Sequence, residues 1–492
     1  MTAWRKDLSL VALVLTLALV GGACGQKPWV AEELERLRAS GAFIDPVTGQ
    51  VLDPNTGAPV SGSGTGDSNL AGGSSGTDGT GGTEGTAGTE GKTLTEDGQD
   101  PTDPSLPGPD GGPPSGGNAT GVTKTSIKIG FHAPLTGAAP VPSDSVNKGK
   151  DLYFRANPGA VHGRDVQVIL ENDQYNPSTA IAVCKKMVQD DKVFLLSGAA
   201  GTDQIAACAR YAESVAVPYL SAGVTEAGLT TLRTYFATTM TYPDQGPMLA
   251  RYMANNLGAR GEKNAMLWFN TPSFVDAHNA WQSGMKSVGA SLDLDLPYGK
   301  GSGDQQAIQA VGQLQREQID NVFVLTSPAW FLRVLIAAKN QGYAPTWTGV
   351  GITMTFDTVA SAGCRTGTLN GARFFSPFPA WVDSRKYDPG FAAAVQRFHP
   401  EENGGDDFMW LSWAFSRVGA ELLKQPGKNL TRERFIYFVE RAKNVQTGIF
   451  PPLNFSPTDH FGSSQVHINQ AQCSGSGAGD NRWHTIEDFV SP

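Results

Sequence analysis

Aromatic residues are missing from one long stretch of this 492-residue chain, since there is no Phe, Trp or Tyr between residues 45 and 130. Gly, Ser, Thr, Pro and Asp dominate residues 53–121. A segment of this composition cannot bury enough apolar surface to offset the entropy lost on ordering the chain. The sequence therefore predicts a disordered linker over 53–121. It lies between a short N-terminal segment, 25–52, and a large C-terminal domain, 122–492.

Positive charge is also scarce. The formal net charge is −9, but residues 53–121 hold ten acidic residues and one lysine, so the rest of the chain is neutral. Nucleic-acid-binding proteins carry basic patches that neutralise phosphates, and no such patch or nucleic-acid motif is present. We expect no nucleic-acid partner.

The motifs of common catalytic and metal sites are absent. The seven histidines are scattered without an H-E-x-x-H pair, and the cysteines have neither C-x-x-C spacing nor a neighbouring histidine. G-G-S-S-G at 72–76 has the letters of the G-x-S-x-G hydrolase motif but lies in the predicted linker. The loop G-K-G-S-G at 299–303 lacks the spacing of a phosphate-binding loop. The sequence predicts neither an enzyme nor a bound cofactor or metal.

One long apolar run occurs at the start of the chain. Arg5 and Lys6 precede apolar residues 8–20, a run too short to span a bilayer, and small residues then lead to Cys24. This pattern resembles a bacterial lipoprotein signal over 1–24, in which Cys24 is lipidated. A plain secretory signal with an incidental cysteine is the alternative. Both predict export, and the first predicts a protein anchored by lipid to the outer face of the cytoplasmic membrane.

Export makes the other four cysteines candidates for two disulfides, because the compartment is oxidising. Four cysteines allow three pairings. We predict that Cys184 pairs with Cys208 on a neighbouring helix, and that Cys364 pairs with Cys473, tying the C-terminal tail to the domain.

From residue 126 onwards the apolar residues alternate between a period of two and a period of about 3.6, and the pattern restarts after residue 241. This predicts an α/β fold with two mainly parallel sheets, hence two lobes with a cleft between them. Strands are predicted at 127–131, 164–171, 193–196, 217–220, 264–269, 291–296, 321–326, 347–349 and 372–376, helices at 147–156, 177–189, 243–257, 275–288, 304–317, 330–341, 407–423 and 431–442, and a hairpin near the C-terminus.

Two turns within residues 195–230 are the first candidates for ligand contact. Each follows an apolar run and contains a glycine, Gly201 or Gly223, followed by a threonine, Thr202 or Thr225, at the start of a helix-like segment. Such turns lie at the carboxyl ends of parallel strands, where a ligand can approach the backbone and free N–H groups favour a carboxylate. The alternative is that both threonines are ordinary helix N-caps.

Several motifs occur in an order that is typical of one family. They are I-K-I-G-F-H-A-P-L-T-G at 127–137, N-K-G-K-D-L-Y-F at 147–154, E-N-D-Q-Y-N-P-S-T-A-I-A at 171–182, the two turns described above, and T-G-I-F-P-P-L-N-F at 447–455. Together they resemble the type I periplasmic binding proteins, in particular the branched-chain amino acid (Leu/Ile/Val) receptors of ABC importers.

The resemblance implies a specific architecture. Two Rossmann-like lobes are joined by a three-crossing hinge and close over a ligand. The crossings would fall near Met240, Phe375 and Gln446. The first lobe would then comprise about 122–240 and 376–446, and the second about 241–375 and 447–492.

The resemblance also implies the ligand contacts. In the first lobe the family holds the ligand carboxylate at two turns, which correspond here to Gly201, Thr202, Gly223, Val224 and Thr225. The remaining contacts would be the loop residues Val141 and Pro142, which supply apolar wall, and the second-lobe residues Phe274, Ser327, Trp330 and Gly351.

Gly351 departs from the family, whose amino-acid binders have an acid there for the ligand's ammonium group. A buried ammonium without a carboxylate partner costs several kcal/mol. The expected ligand is therefore a small carboxylate or amino-acid-like molecule with an apolar or aromatic portion, and an amino acid itself is disfavoured. The resemblance implies a substrate-binding lipoprotein that delivers this ligand to an ABC permease. A ligand-sensing receptor coupled to a signalling partner is the alternative function.

Overall fold

The computed structural model describes residues 43–44, 51–52, 105, 111–137, 140–198, 200–221, 227–351, 356–474 and 481–491. Cys24, the predicted signal and most of the predicted linker lie outside these ranges. Within the described part of the chain, no helix has both the length and the apolar character needed to cross a membrane.

The chain divides into two units, Met1–Glu90 and Gly91–Pro492. In the first unit the described residues form two short antiparallel strands, β1 (Phe43–Ile44) and β2 (Val51–Leu52). The second unit contains the two large sheets that the alternating sequence pattern predicts, which confirms the α/β fold class.

The first lobe is built on a five-stranded sheet in which all neighbouring strands are parallel, in the order β4-β3-β5-β6-β7. Helices cover this sheet and bury aromatic residues such as Trp410 and Phe435. Its elements are β3 (Ser126–Ala133), α1 (Ser143–Gly149), α2 (Leu152–Ala156), β4 (Asp165–Asn172), α3 (Pro177–Gln189), β5 (Leu195–Gly198), α4 (Thr202–Ser214), β6 (Tyr219–Ser221) and β7 (Tyr235–Ala237).

The second lobe contains a seven-stranded sheet in the order β14-β13-β12-β11-β10-β8-β9. Its first five strands in the chain are parallel, and the C-terminal hairpin adds two antiparallel strands. Its elements are α5 (Tyr242–Asn256), β8 (Asn264–Phe269), α6 (Pro272–Ser287), β9 (Leu294–Tyr298), α7 (Asp304–Arg316), β10 (Asn321–Leu325), α8 (Pro328–Asn340), β11 (Thr346–Val350), α9 (Asp357–Cys364), β12 (Arg373–Ser376), β13 (Val466–Gln472) and β14 (Arg482–Val490).

Four further helices lie between β12 and β13. The chain returns to the first lobe after β12, because Phe391 and Trp410 of this region belong to the first-lobe core. The helices are α10 (Ser384–Tyr387), α11 (Pro389–Phe398), α12 (Asp407–Lys424) and α13 (Arg432–Val439).

Both predicted disulfides are present. Cys184–Cys208 joins α3 to α4 within the first lobe, and Cys364–Cys473 joins the end of α9 to the residue after β13 within the second. The structure thus selects the predicted one of the three possible pairings.

Two predicted boundaries differ from the structure. Gly111–Gly121 falls in the predicted linker, yet the Thr431 hydroxyl donates to the Gly116 carbonyl (3.0 Å) and the Tyr437 hydroxyl to the Gly111 carbonyl (2.8 Å). Ordered chain therefore begins before residue 122. In addition, Ile449 and Phe455 belong to the first-lobe core, and Phe461 bridges to Ala237 beside β7. We therefore assign the third crossing to the chain after Phe461 rather than to Gln446.

Two predicted helices also differ. Residues 147–156 are divided between the end of α1 and the whole of α2, because Asp151 between the two helices has a non-helical φ of −124°. After β6, the described residues contain a 3₁₀ turn, Ala227–Leu229, in place of an α-helix. The connection from β6 to β7 is short, because β6 ends at Ser221 and β7 begins at Tyr235.

Candidate functional site

The candidate site is a cavity of about 340 Å³ between the two lobes. It lies at the carboxyl ends of parallel strands from both sheets, because Pro134 follows β3, Ala200 follows β5, and Leu325 ends β10. This is the edge of an open α/β sheet where the turns leave room for a ligand.

The first-lobe face of the cavity contains the amino end of α4. Gly201 is the N-cap residue of this 13-residue helix, with a φ of 84°, and as a glycine it has no side chain with which to cap the helix. The first amide groups of an α-helix lack intrahelical acceptors and carry partial positive charge. Thr202 is the first helical residue rather than the N-cap. It also lines the cavity.

The loop after β3 contributes apolar residues to this face. Val141 and Pro142 both line the cavity. The Val141 amide donates to the carbonyl of Pro134 (2.8 Å), which fixes the loop against the end of β3.

The second-lobe face is mostly apolar. Phe274 lies in the first turn of α6, is 8% exposed, and packs edge-on against Tyr242 with ring centroids 5.9 Å apart. Ser327 also lines the cavity, but its hydroxyl caps α8 by accepting from the Trp330 amide (3.3 Å). Apolar side chains around them complete the wall, among them Phe269, Leu325, Leu332 and Val350.

Trp330 is placed differently from the prediction. It is 2% exposed, it packs against Phe269 and Tyr298, and its indole N–H donates to the Gly303 carbonyl (3.2 Å). It is not among the residues that line the cavity. Trp330 is therefore a packing residue of the second lobe beneath the cavity rather than part of its wall.

Gly351 lines the cavity with a φ of 118°, a conformation that L side chains rarely adopt. No Asp or Glu occurs among the described residues that line the cavity, and Lys300 is their one charged side chain. The described wall thus offers no anionic partner for an ammonium group.

The predicted contacts Gly223, Val224 and Thr225 lie outside the described residues. Of the other predicted ligand contacts, Val141, Pro142, Gly201, Thr202, Phe274, Ser327 and Gly351 line one cavity.

Sequence reasoning missed several residues of the wall. The most polar are Tyr175, which follows β4, Tyr242, the first residue of α5, and Lys300, which follows β9. Burial raises the pKa of the Tyr242 phenol to about 12, so it remains a hydrogen-bond donor at neutral pH. Burial and the nearby carboxylates of Asp203 and Asp173 also raise the pKa of Tyr175. Their positions after strands or at a helix start mark them as possible cavity residues. Whether such residues line the cavity depends on how the two lobes assemble, which the local sequence does not show.

One cluster in the first lobe has metal-ligand chemistry by residue type. His132 lies beside Cys184 and Cys208, and all three are buried. The two sulfurs form a disulfide, and the ring nitrogens of His132 bond Asp173 and Tyr219, at 2.7 Å each. Disulfide sulfurs are not thiolate ligands, so this cluster is structural in its present form.

Comparison with solved structures finds the same fold in transport proteins. A fatty acid ABC transporter substrate-binding protein from Thermomonospora curvata is 18% identical, with a TM-score of 0.64 over 79% of this chain and 97% of that one. A solute-binding protein of an ABC transporter from Rhodopseudomonas palustris, in complex with 3,4-dihydroxybenzoic acid, is 17% identical, with a TM-score of 0.62 over 75% and 99%. LivJ from Streptococcus pneumoniae, a branched-chain amino acid transporter substrate-binding protein in complex with isoleucine, is 18% identical, with a TM-score of 0.60 over 75% and 100%.

No curated protein sequence matches the chain. A family model described as periplasmic binding protein matches residues 126–478, which include the described cavity lining and every strand of the two large sheets except β14. This supports a general solute-binding role for the cleft. Because the match spans well over half of the chain, the protein belongs to the periplasmic binding protein family.

Proposed function

We propose that this protein is the substrate-binding lipoprotein of an ABC importer, and that it captures a small carboxylate with an apolar or aromatic body. The observation that carries this proposal is the chemistry of the cavity wall. A helix start whose N-cap residue is glycine lies at one face, apolar side chains line the other, and the described lining contains no acid. This combination favours an anionic end group and an apolar body over a free amino acid.

The binding step follows from the two faces. The carboxylate lies at the amino end of α4, where backbone N–H groups and the Thr202 hydroxyl can donate to it. The apolar part lies against Phe274 and Leu325 of the second lobe. Closure of the lobes removes this apolar surface from water, and burial is worth about 25 cal/mol per Å² of apolar area. The closed form then docks on a membrane permease, and no covalent chemistry is involved.

A thermal-shift comparison tests the ligand class. The probes are benzoate and octanoate, each with its amide as a neutral control, and L-isoleucine as the amino acid. A ligand that binds the native state alone raises its stability by RT ln(1 + [L]/Kd). The proposal expects stabilisation by at least one acid, a smaller shift with its amide, and loss of the acid's shift in Thr202→Ala but not in Thr202→Ser. A shift with isoleucine and none with either acid would contradict the proposed ligand.

The membrane anchor is a separate part of the proposal. It rests on Cys24 following an apolar run and on the two disulfides, which suit an exported protein. Intact-mass measurement of the protein from membranes of its host should show a diacylglycerol adduct that Cys24→Ala lacks. An unmodified N-terminus at Cys24, or a soluble wild-type protein, would refute the lipid anchor and leave the ligand proposal standing.

A further inference from the structure

One charged side chain of the second lobe reaches across the mouth of the cleft. Lys300 lies between β9 and α7, and its ammonium group forms an ion pair with Asp203 in the first turn of α4. The same nitrogen lies 5.6 Å from the centre of the Tyr175 ring. Both partners belong to the first lobe, so Lys300 connects the lobes through its side chain.

The loop that carries Lys300 is fixed to the second lobe. The Ser302 amide donates to the Gly299 carbonyl (3.0 Å), and the Gly303 carbonyl accepts from the buried indole of Trp330 (3.2 Å). The first contact shapes the loop, and the second holds it to α8 of the same lobe. Lys300 is therefore expected to move together with the second lobe.

Tyr175 is held equally firmly to the first lobe. Gln174 and Tyr175 both have a φ of 55°, a conformation that is uncommon for residues other than glycine. The Asp173 carboxylate maintains this turn by accepting from the Tyr175 amide (2.9 Å), while its other oxygen bonds the buried His132 (2.7 Å). The turn presents the Tyr175 ring to the cavity.

The ion pair is partly shielded from water. The Lys300 side chain is 28% exposed and that of Asp203 is 33% exposed. Attraction between such groups is less screened than that between fully exposed charges. Since the partners lie in different lobes, their attraction is lost when the lobes separate. An ion pair within one lobe, such as Arg333 with Asp304, contributes equally to both forms.

We propose that Lys300 is a latch that holds the cleft closed by binding Asp203 and Tyr175 across it. This inference rests on the proposed function, in which the cleft opens and closes around a solute. It assigns Lys300 a positioning role, because the residue acts on the closure that encloses the ligand. The latch biases the lobes towards closure even without a ligand.

The distance between the lobes in the ligand-free protein tests the latch. Nitroxide labels are placed on cysteines introduced at two exposed positions, Lys185 of α3 and Ile308 of α7, in the full chain. Pulsed electron–electron double resonance then gives the populations of short and long distances. The expected open-to-closed ratio rises about two- to fivefold in Lys300→Met and in Asp203→Asn. The double variant should show no further rise, because either change alone removes the pair.

Three comparisons make the outcome decisive. The charge exchange Lys300→Asp with Asp203→Lys should restore much of the short distance, whereas Arg333→Gln should leave it unchanged. At 1 M salt the wild type should approach the Lys300→Met distribution, because the screening length falls to about 3 Å. Identical distributions for wild type and Lys300→Met, or additive effects in the double variant, would overturn the latch.

The latch and the ligand proposal fail separately. A wild type that shows a Lys300-dependent distance but no stabilisation by benzoate or octanoate retains the latch and loses the proposed ligand class. A wild type that is stabilised by either acid but has the same lobe distance in Lys300→Met loses the latch alone.

Discussion

The two faces of the cleft differ in what they offer a ligand. The first-lobe face contains the start of α4, with Gly201 as its N-cap residue and Thr202 as its first helical residue. The second-lobe face contains Phe274 and aliphatic side chains, and the hydroxyl of Ser327 already caps a helix. Even Lys300, the one charged side chain among the described residues that line the cavity, is paired with the first lobe. Polar anchoring is thus concentrated on one side and apolar burial on the other.

The lobes also differ in the length of the chain segment that each disulfide closes. Of the substitutions considered, removing a disulfide should lower the free energy of unfolding most. Cys364–Cys473 closes a loop of 109 residues, and Cys184–Cys208 a loop of 24. By loop entropy, Cys364→Ala with Cys473→Ala should lower the unfolding free energy by about 5 kcal/mol, and Cys184→Ala with Cys208→Ala by about 3.5 kcal/mol. Denaturant titrations of both double variants give these values. Equal losses, or a reversed order, would contradict the expectation.

Truncating the second-lobe wall should have the next largest effect. Phe274 is 8% exposed and packs on Tyr242, so Phe274→Ala should lower the unfolding free energy by about 3 kcal/mol. Phe274→Leu keeps most of the apolar volume and serves as the control. Thermal denaturation of both variants makes the comparison. A wild-type stability for Phe274→Ala would show that this wall is not packed as the structure indicates.

The first-lobe face should be sensitive to backbone conformation instead. At Gly201 the φ of 84° opposes a side chain, because L residues rarely adopt this backbone conformation. Gly201→Ala should therefore cost about 2 kcal/mol of stability and weaken binding of any carboxylate found by thermal shift. Gly299→Ala is the matched control in the second lobe, because its Cβ would meet nothing within 4 Å. Equal effects of the two substitutions would remove the special role given to Gly201.

A buried carboxylate pair where the lobes meet should make stability depend on pH. The Asp407 carboxylate of α12 accepts from the Asp357 amide of α9 (2.7 Å). Burial raises the pKa of Asp357 to about 6, and burial with the neighbouring charge of Asp357 raises the pKa of Asp407. The folded state therefore binds protons more tightly than the unfolded chain. The stability contributed by the Asp357 carboxyl is complete below about pH 4 and is lost as pH rises through about 6. The raised pKa of Asp407 makes stability fall with rising pH in the same direction.

Asp407→Asn isolates this pH effect because the amide oxygen can still accept the Asp357 N–H. Each proton contributes a slope of at most about 1.4 kcal/mol per pH unit. Relative to the wild type, the variant should become more stable as pH rises from 4 to 7. Urea titrations at several pH values measure the difference. A difference that stays constant, or falls, over this range would refute the raised pKa of the pair.

Capping residues and apolar runs in the sequence predict those helices and strands whose ends are set by neighbouring residues. The helix at 177–189 and the strand at 264–269 match α3 and β8 in both bounds. Asn176 caps α3 by accepting from two backbone amides and is followed by proline, while β8 is Asn264 followed by five apolar residues, all of them buried. These features act within a few residues, so one sequence displays them.

The differences arise where distant segments decide the structure. Phe461 joins the first lobe through its bridge to Ala237, a partner far away in the sequence. Trp330 has the same apolar character as the cavity wall, but the side of α8 that faces the cavity is set by packing on Phe269 and Tyr298. Nothing in the glycine-rich loop around Lys300 predicts its contacts, because its partners Asp203 and Tyr175 belong to the opposite lobe.

A crystal structure of the protein with whichever acid, benzoate or octanoate, gives the larger thermal shift is the most direct test of the asymmetric cleft. We predict that the carboxylate oxygens lie within hydrogen-bond distance of the Thr202 hydroxyl and the first amides of α4, and that the apolar part contacts Phe274 and Leu325. A carboxylate bound on the second-lobe face, with the apolar part against α4, would contradict the account.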